Sequence, residues 1–172
     1  MRGNVPGLYS PGAGALKCPP MFDVLVYLYE NFGAFTACPD SDALAKKLTD
    51  AGFEDDEISD ALSWLQGLAH ITRESVTVQG ERAFAFRVYA SYEYERLGAE
   101  AVGFLAFLEH EHQLSAAQRE IVIERALATE ESPVSLAKLK VIVLMVLWSL
   151  QVDIDTLVLE ELLDDGEERL LH

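Results

Sequence analysis

The sequence predicts a mainly α-helical protein. A winged-helix-like module with a small β-hairpin spans residues 21–90, and a C-terminal helical bundle built around one all-apolar helix spans 91–172. Three observations predict this. Apolar residues recur at helical spacing through most of 21–172. Residues 141–148 contain no polar side chain, so a helix through them is apolar on every face and has to be coated by other elements. Between Val76 and Val88 the period falls from 3.6 to 2, the spacing of strands.

Residues 1–20 precede the pattern. They hold four of the six prolines and four of the eleven glycines, without a hydrophobic run of the secretory type. Too few apolar groups are present to offset the entropy of ordering. A disordered extension is expected, with Met21 as the expected natural start.

The first helix is expected over 21–32, with Phe22, Leu25, Tyr29 and Phe32 on one face. Gly33 and Pro39 mark a loop. Asp40 or Ser41 caps the second helix, whose stripe is Leu44, Leu48 and Ala51, and Gly52 ends it. The third helix, 55–68, buries Ile58, Ala61, Leu62, Leu65 and Leu68, with Trp64 at the flank. A hairpin follows: Val76 and Val78 in one strand, a turn at Gln79-Gly80-Glu81, and Phe84, Phe86 and Val88 in the other. Ser91 is read as the cap of a short helix that Gly98 either breaks or bends into the next. The next helix, 99–112, turns Val102, Leu105 and Leu108 inward with Phe104 and Phe107 beside them, and Gly103 within it points to close packing. Ser115 and Gln118 form a capping box. Ser135 caps the apolar helix, and a last short helix lies near 155–163.

The apolar run is too short to cross a membrane. A span needs about 20 residues, and this run has eight, flanked by Lys138 and Lys140 and soon followed by Asp153 and Asp155. No membrane association is expected.

The net charge of −16 disfavours docking on nucleic acid or anionic lipid. The third helix opens Glu54-Asp55-Asp56-Glu57-Ile58-Ser59-Asp60, five acids and no base, where a DNA-binding winged helix would present cations. Direct nucleic-acid binding is therefore not expected, and a protein partner with a basic face is. Cys18 and Cys38 have no CxxC spacing. His110 and His112 point about 200° apart on a helix and cannot share a metal. Neither Ser63 nor Cys38 has a base nearby in sequence, and no phosphate loop or nucleophile elbow is present. No catalytic residue, cofactor or metal site is expected. The most suggestive polar feature is Tyr89, Tyr92 and Tyr94, which either pack a hinge between the two modules or form a protein-interaction patch.

The stretches Met21-Phe22-Asp23-Val24-Leu25-Val26-Tyr27-Leu28-Tyr29-Glu30, Ala61-Leu62-Ser63-Trp64-Leu65 and Gly103-Phe104-Leu105-Ala106-Phe107-Leu108-Glu109 carry a resemblance. So do Arg119-Glu120-Ile121-Val122-Ile123-Glu124-Arg125-Ala126-Leu127 and Leu144-Met145-Val146-Leu147-Trp148. They resemble the bacterial Smg family over nearly all of 21–172. The resemblance implies a cytoplasmic bacterial protein and brings no activity, ligand or catalytic residue. Family genes often neighbour those of DNA processing, which is an association and not a mechanism. The expected function is a non-catalytic adaptor or regulatory module. A nucleic-acid-associated regulator, direct or through a partner, is the alternative, and an undiscovered enzyme comes third.

Overall fold

The computed structural model describes residues 20–76 and 87–164. Among them lie eight α-helices: α1 (Pro20–Asn31), α2 (Ser41–Ala51), α3 (Asp55–Val76), α4 (Ser91–Leu97), α5 (Ala99–His110), α6 (Ala116–Leu127), α7 (Leu136–Ser149) and α8 (Thr156–Leu163). A single 3-10 turn, Phe35–Ala37, follows α1.

Helix α7 is the axis. Residues 142–148 are all buried, and α7 packs against α1, α3, α5, α6, α8 and the 3-10 turn. An all-apolar helix has no solvent face to offer, so every side of it is covered. Ser135 Oγ accepts from Lys138 N–H at 3.4 Å and caps its start. Trp148 meets Tyr29 and Phe35 edge-on, with centroids 5.9 and 5.2 Å away. Buried residues from α1–α3 and from α4–α8 belong to one core cluster. Among the described residues no helix is long and apolar enough to cross a membrane.

Local chemistry sets the helix ends. Asp40 accepts from Ala43 N–H at 3.0 Å, and Gly52 closes α2 at φ +102°, a conformation costly for a residue with a Cβ. Ser115 and Gln118 exchange side chain-to-backbone bonds at 3.2 and 2.8 Å. Asp155 accepts from Leu157 N–H at 2.9 Å and starts α8. At α4 the cap differs from expectation. Ser91 is already helical, and the carboxylate of Glu93 reaches back to Ala90 N–H at 2.9 Å.

The winged-helix reading is overturned, while the mainly α class stands. Helix α3 runs 22 residues and ends at Val76, where the first strand was expected to begin. Its stripe continues past Leu68 through Ile71 and Thr72 at helical spacing, and no glycine or proline interrupts residues 69–76, so nothing stops propagation. Residues 87–90 lead into α4 without ladder pairing, and no strand occurs among the described residues. The expected turn at Gln79-Gly80-Glu81, with Val78, Phe84 and Phe86, lies outside the described residues. So does the expected extension, 1–20, apart from Pro20, which belongs to α1.

The two lysines of α7 are buried rather than solvent-facing. Lys138 Nζ bonds Glu131 and lies 5.9 Å from the Phe22 ring centroid. Lys140 Nζ donates to Glu161 at 2.9 Å and to the Asp164 carbonyl at 3.2 Å, which ties α8 to α7. It also sits 5.8 Å from the Phe104 ring centroid on α5.

Candidate functional site

Arg87 lies just before α4, and ions on two helices hold its side chain. Its guanidinium makes a bidentate pair with Glu93 on α4, both bonds 2.9 Å, and its Nε donates to Glu120 on α6 at 2.9 Å. Its Nη1 also donates to the Val88 carbonyl at 3.0 Å. Glu120 in turn accepts from Arg119 Nη2 at 2.9 Å, and Arg119 Nη1 donates to Glu109 of α5 at 2.6 Å. The chain Glu93–Arg87–Glu120–Arg119–Glu109 thus joins α4, α5 and α6. Glu93 and Arg119 are buried within it. Hydrogen bonds from Arg87, then from Ala90 N–H, hold the Glu93 carboxyl at about 2 against the opposing cost of burial. Arg87 is correspondingly pushed above its usual range, first by its bonds to Glu93. For Arg119 burial works against the charge, but the bonds to Glu109 and Glu120 outweigh it and raise its pKa.

The three tyrosines separate. Tyr89 is half-buried under the Arg87 guanidinium, 4.8 Å from ring centroid to Cζ. Burial raises its phenol, and Arg119 and Arg87 oppose that rise. Tyr92 is 63% exposed and Tyr94 48%, at opposite margins of the outer face of α4, with Ser91 and Glu95 between them. Val88, pinned by Arg87 through its carbonyl, is 85% exposed. Val88 and Tyr92 therefore stand in solvent, Val88 bonded through its carbonyl and Tyr92 on α4, while Tyr89 belongs to the ion network beneath.

The remaining candidates have other surroundings. Cys38 is half-buried, and burial raises its thiol, opposite to the depression a nucleophilic cysteine uses. Ser63 is exposed on α3. His110 and His112 are exposed at the end of α5, and no group of three or more His, Cys, Asp or Glu suited to a metal occurs among the described residues. An open hollow of about 480 Å³ is lined by Phe53, Glu54, Asp55 and Asp56 at the acidic start of α3. Another, about 460 Å³, lies beside His70, Ile71, Glu74, Ser75 and Glu124.

Sequence reasoning missed the outer face of α5. Ala101, Leu105 and Leu108 turn into the core, as a one-sided stripe would. Yet Gly103, Ala106 and Phe107 face solvent, with Phe107 53% exposed and stacked on Phe104 at 6.3 Å. A Cβ built at Gly103 has nothing within 4 Å among the described residues, so the close packing expected there is not made within them. The signal was available: from 101 to 108 the helix has no polar residue, which is more than one buried stripe requires.

A family model described as "Protein of unknown function (DUF494)" matches residues 21–172. The curated relatives named "Protein Smg homolog" agree: that of Bordetella avium is 57% identical over 152 residues, covering 88% of this chain and all of the relative. The chain belongs to the bacterial Smg family. The Bordetella pertussis homologue is 55% identical over 152 residues, and that of Herminiimonas arsenicoxydans 54% over 158, each again covering 88% of this chain and all of the relative. No solved structure matches the chain. The Smg match takes in every helix from α1 to α8 apart from Pro20, and so includes the Arg87 network and the outer face of α5.

Proposed function

We propose that this Smg-family protein is a non-catalytic adaptor or regulatory module of the bacterial cytoplasm that binds a protein partner with a basic face. One observation carries the reading: Arg87, paired with the buried Glu93 and bonded to the Val88 carbonyl, holds Val88 in solvent at 85% exposure, beside a helix whose Tyr92 is 63% exposed. Apolar groups on an immobile support lose little entropy on docking, which favours them as binding anchors. The net charge of −16 favours a cationic partner and speeds encounter with it.

The test is a crosslinked pull-down from the protein's own host with the full chain, alongside the double variant Val88→Ser, Tyr92→Ser. A retained protein with a basic surface, eluted by salt and lost in the variant, supports the reading. Retention of nothing, or retention that ignores the variant, removes it. A shift on duplex DNA at low salt would put the nucleic-acid regulator in its place.

A further inference from the structure

From the outer face of α5 we infer a docking site for an amphipathic helix of a partner protein, one whose apolar stripe is bracketed by Lys or Arg. This deepens the adaptor reading and rests on it. Glu100, Gly103, Phe107 and Glu111 follow one another at i, i+3, i+7 and i+11, which places them along one line of the helix. All four are exposed. The line is acidic at both ends and apolar between, over about 16 Å at 1.5 Å per residue.

The geometry favours another helix against this line. Gly103 leaves a notch in the ridge with open space above it, and a glycine inside a helix is unfavourable unless something uses the gap. Phe107 is held beside the notch by its stack on Phe104, and Phe104 is backed by the buried Lys140 ammonium. A preordered aromatic next to a gap accepts one protruding apolar side chain.

Charge weighs against two other occupants, a second copy and residues 165–172. A second copy brings another −16, and two such helices laid antiparallel set Glu100 against Glu111. The segment 165–172 carries Asp165, Glu167 and Glu168 against Arg169 alone, so its charge has the wrong sign too. A partner helix with cations about three turns apart meets both glutamates and fills the notch.

The experiment places the photoreactive residue p-benzoylphenylalanine at position 107 of the full chain in its native host, irradiates, and sequences the crosslinked peptides. The expected adduct lies in another protein, within a segment with apolar residues at helical spacing and flanking Lys or Arg. Gly103→Leu fills the notch and should cut that adduct at least tenfold. The pair Glu100→Lys, Glu111→Lys should do the same, and no variant should melt well below the parent. Adducts to a second copy, to any other segment of this chain or to a segment without basic flanks overturn the inference, as does no adduct or one indifferent to Gly103→Leu. A partner lost on Val88→Ser, Tyr92→Ser with no adduct at 107 refutes this site and leaves the adaptor reading standing; failure of both removes both.

Discussion

Glu93 is one carboxylate that makes three bonds, two to Arg87 and one to Ala90 N–H. Its folded pKa, about 2, lies below the roughly 4.3 of an unfolded glutamate. A depressed carboxylate stabilises the folded state fully above its unfolded pKa and loses that contribution as pH falls through the folded one. The melting temperature should therefore drop between about pH 4.3 and pH 2 more steeply than in Glu93→Gln. That variant should also lose about 3 kcal/mol at pH 7, because Arg87 is left without its main counter-ion. Denaturant melts at several pH values check this, and parallel pH slopes for the two proteins would count against it. Little of this was legible in the sequence. Arg87 and Glu93 are six residues apart and Arg87 and Glu120 thirty-three, and ion pairing across elements has no periodic signature. Tyr89, Tyr92 and Tyr94 read as one aromatic group because they are close in sequence. The entry into α4 at Ser91 divides them, and helical rotation then parts Tyr92 from Tyr94.

At the scale of the element, two helical glycines should respond in opposite ways to alanine. Gly103 has open space around it, so Gly103→Ala should raise stability by about 1 kcal/mol through helix propensity alone. Gly67 lies under Arg125, and a Cβ there would overlap its Nη1. That guanidinium donates to the Trp64 carbonyl at 3.3 Å, while Trp64 Nε1 donates to the Arg125 carbonyl at 3.2 Å. The arginine tip can swing away, but it then gives up a charge-assisted bond of about 1.5 kcal/mol or more, which cancels the propensity gain. Gly67→Ala should thus be neutral or destabilising, and thermal melts of both variants decide; an equal gain at both sites would refute the Arg125 argument. Helix starts were legible here because a cap acts within three residues, as at Asp40, Ser115 and Ser135. The end of α3 was not. The alternation that begins at Val76 reads as the start of a strand, whereas residues 69–76 lack any breaker and extend the helix through Val76.

For the whole molecule, a buried cation of α7 supports α8, whose own length does little. Eight residues make a marginal helix in water, and Lys140 holds its far end through Glu161 and the Asp164 carbonyl. Lys140→Met keeps the apolar stem against Phe104 and removes those bonds. Amide exchange over Thr156–Leu163 should accelerate about tenfold, the equivalent of a lost charged hydrogen bond of about 1.4 kcal/mol, while the centre of α7 keeps its protection. Uniform acceleration, or none, would show that α8 is held by other contacts. The role of α7 itself was legible from composition, since eight apolar residues in a row leave a helix no exposed side. The partners of Lys140 were not, because Glu161 is contributed by a helix twenty-one residues later.

The chain has two tryptophans, and both stand where its first three helices meet its last five. Trp64 of α3 exchanges bonds with α6 through Arg125, and Trp148 of α7 touches Tyr29 of α1 and Phe35. Intrinsic fluorescence is consequently an optical gauge of the seam between the two halves. In the single-tryptophan proteins Trp64→Phe and Trp148→Phe, emission should red-shift at the same denaturant concentration as the far-ultraviolet circular dichroism is lost, if the halves unfold together. Emission that shifts first would reveal a state in which both halves keep their helices and have come apart.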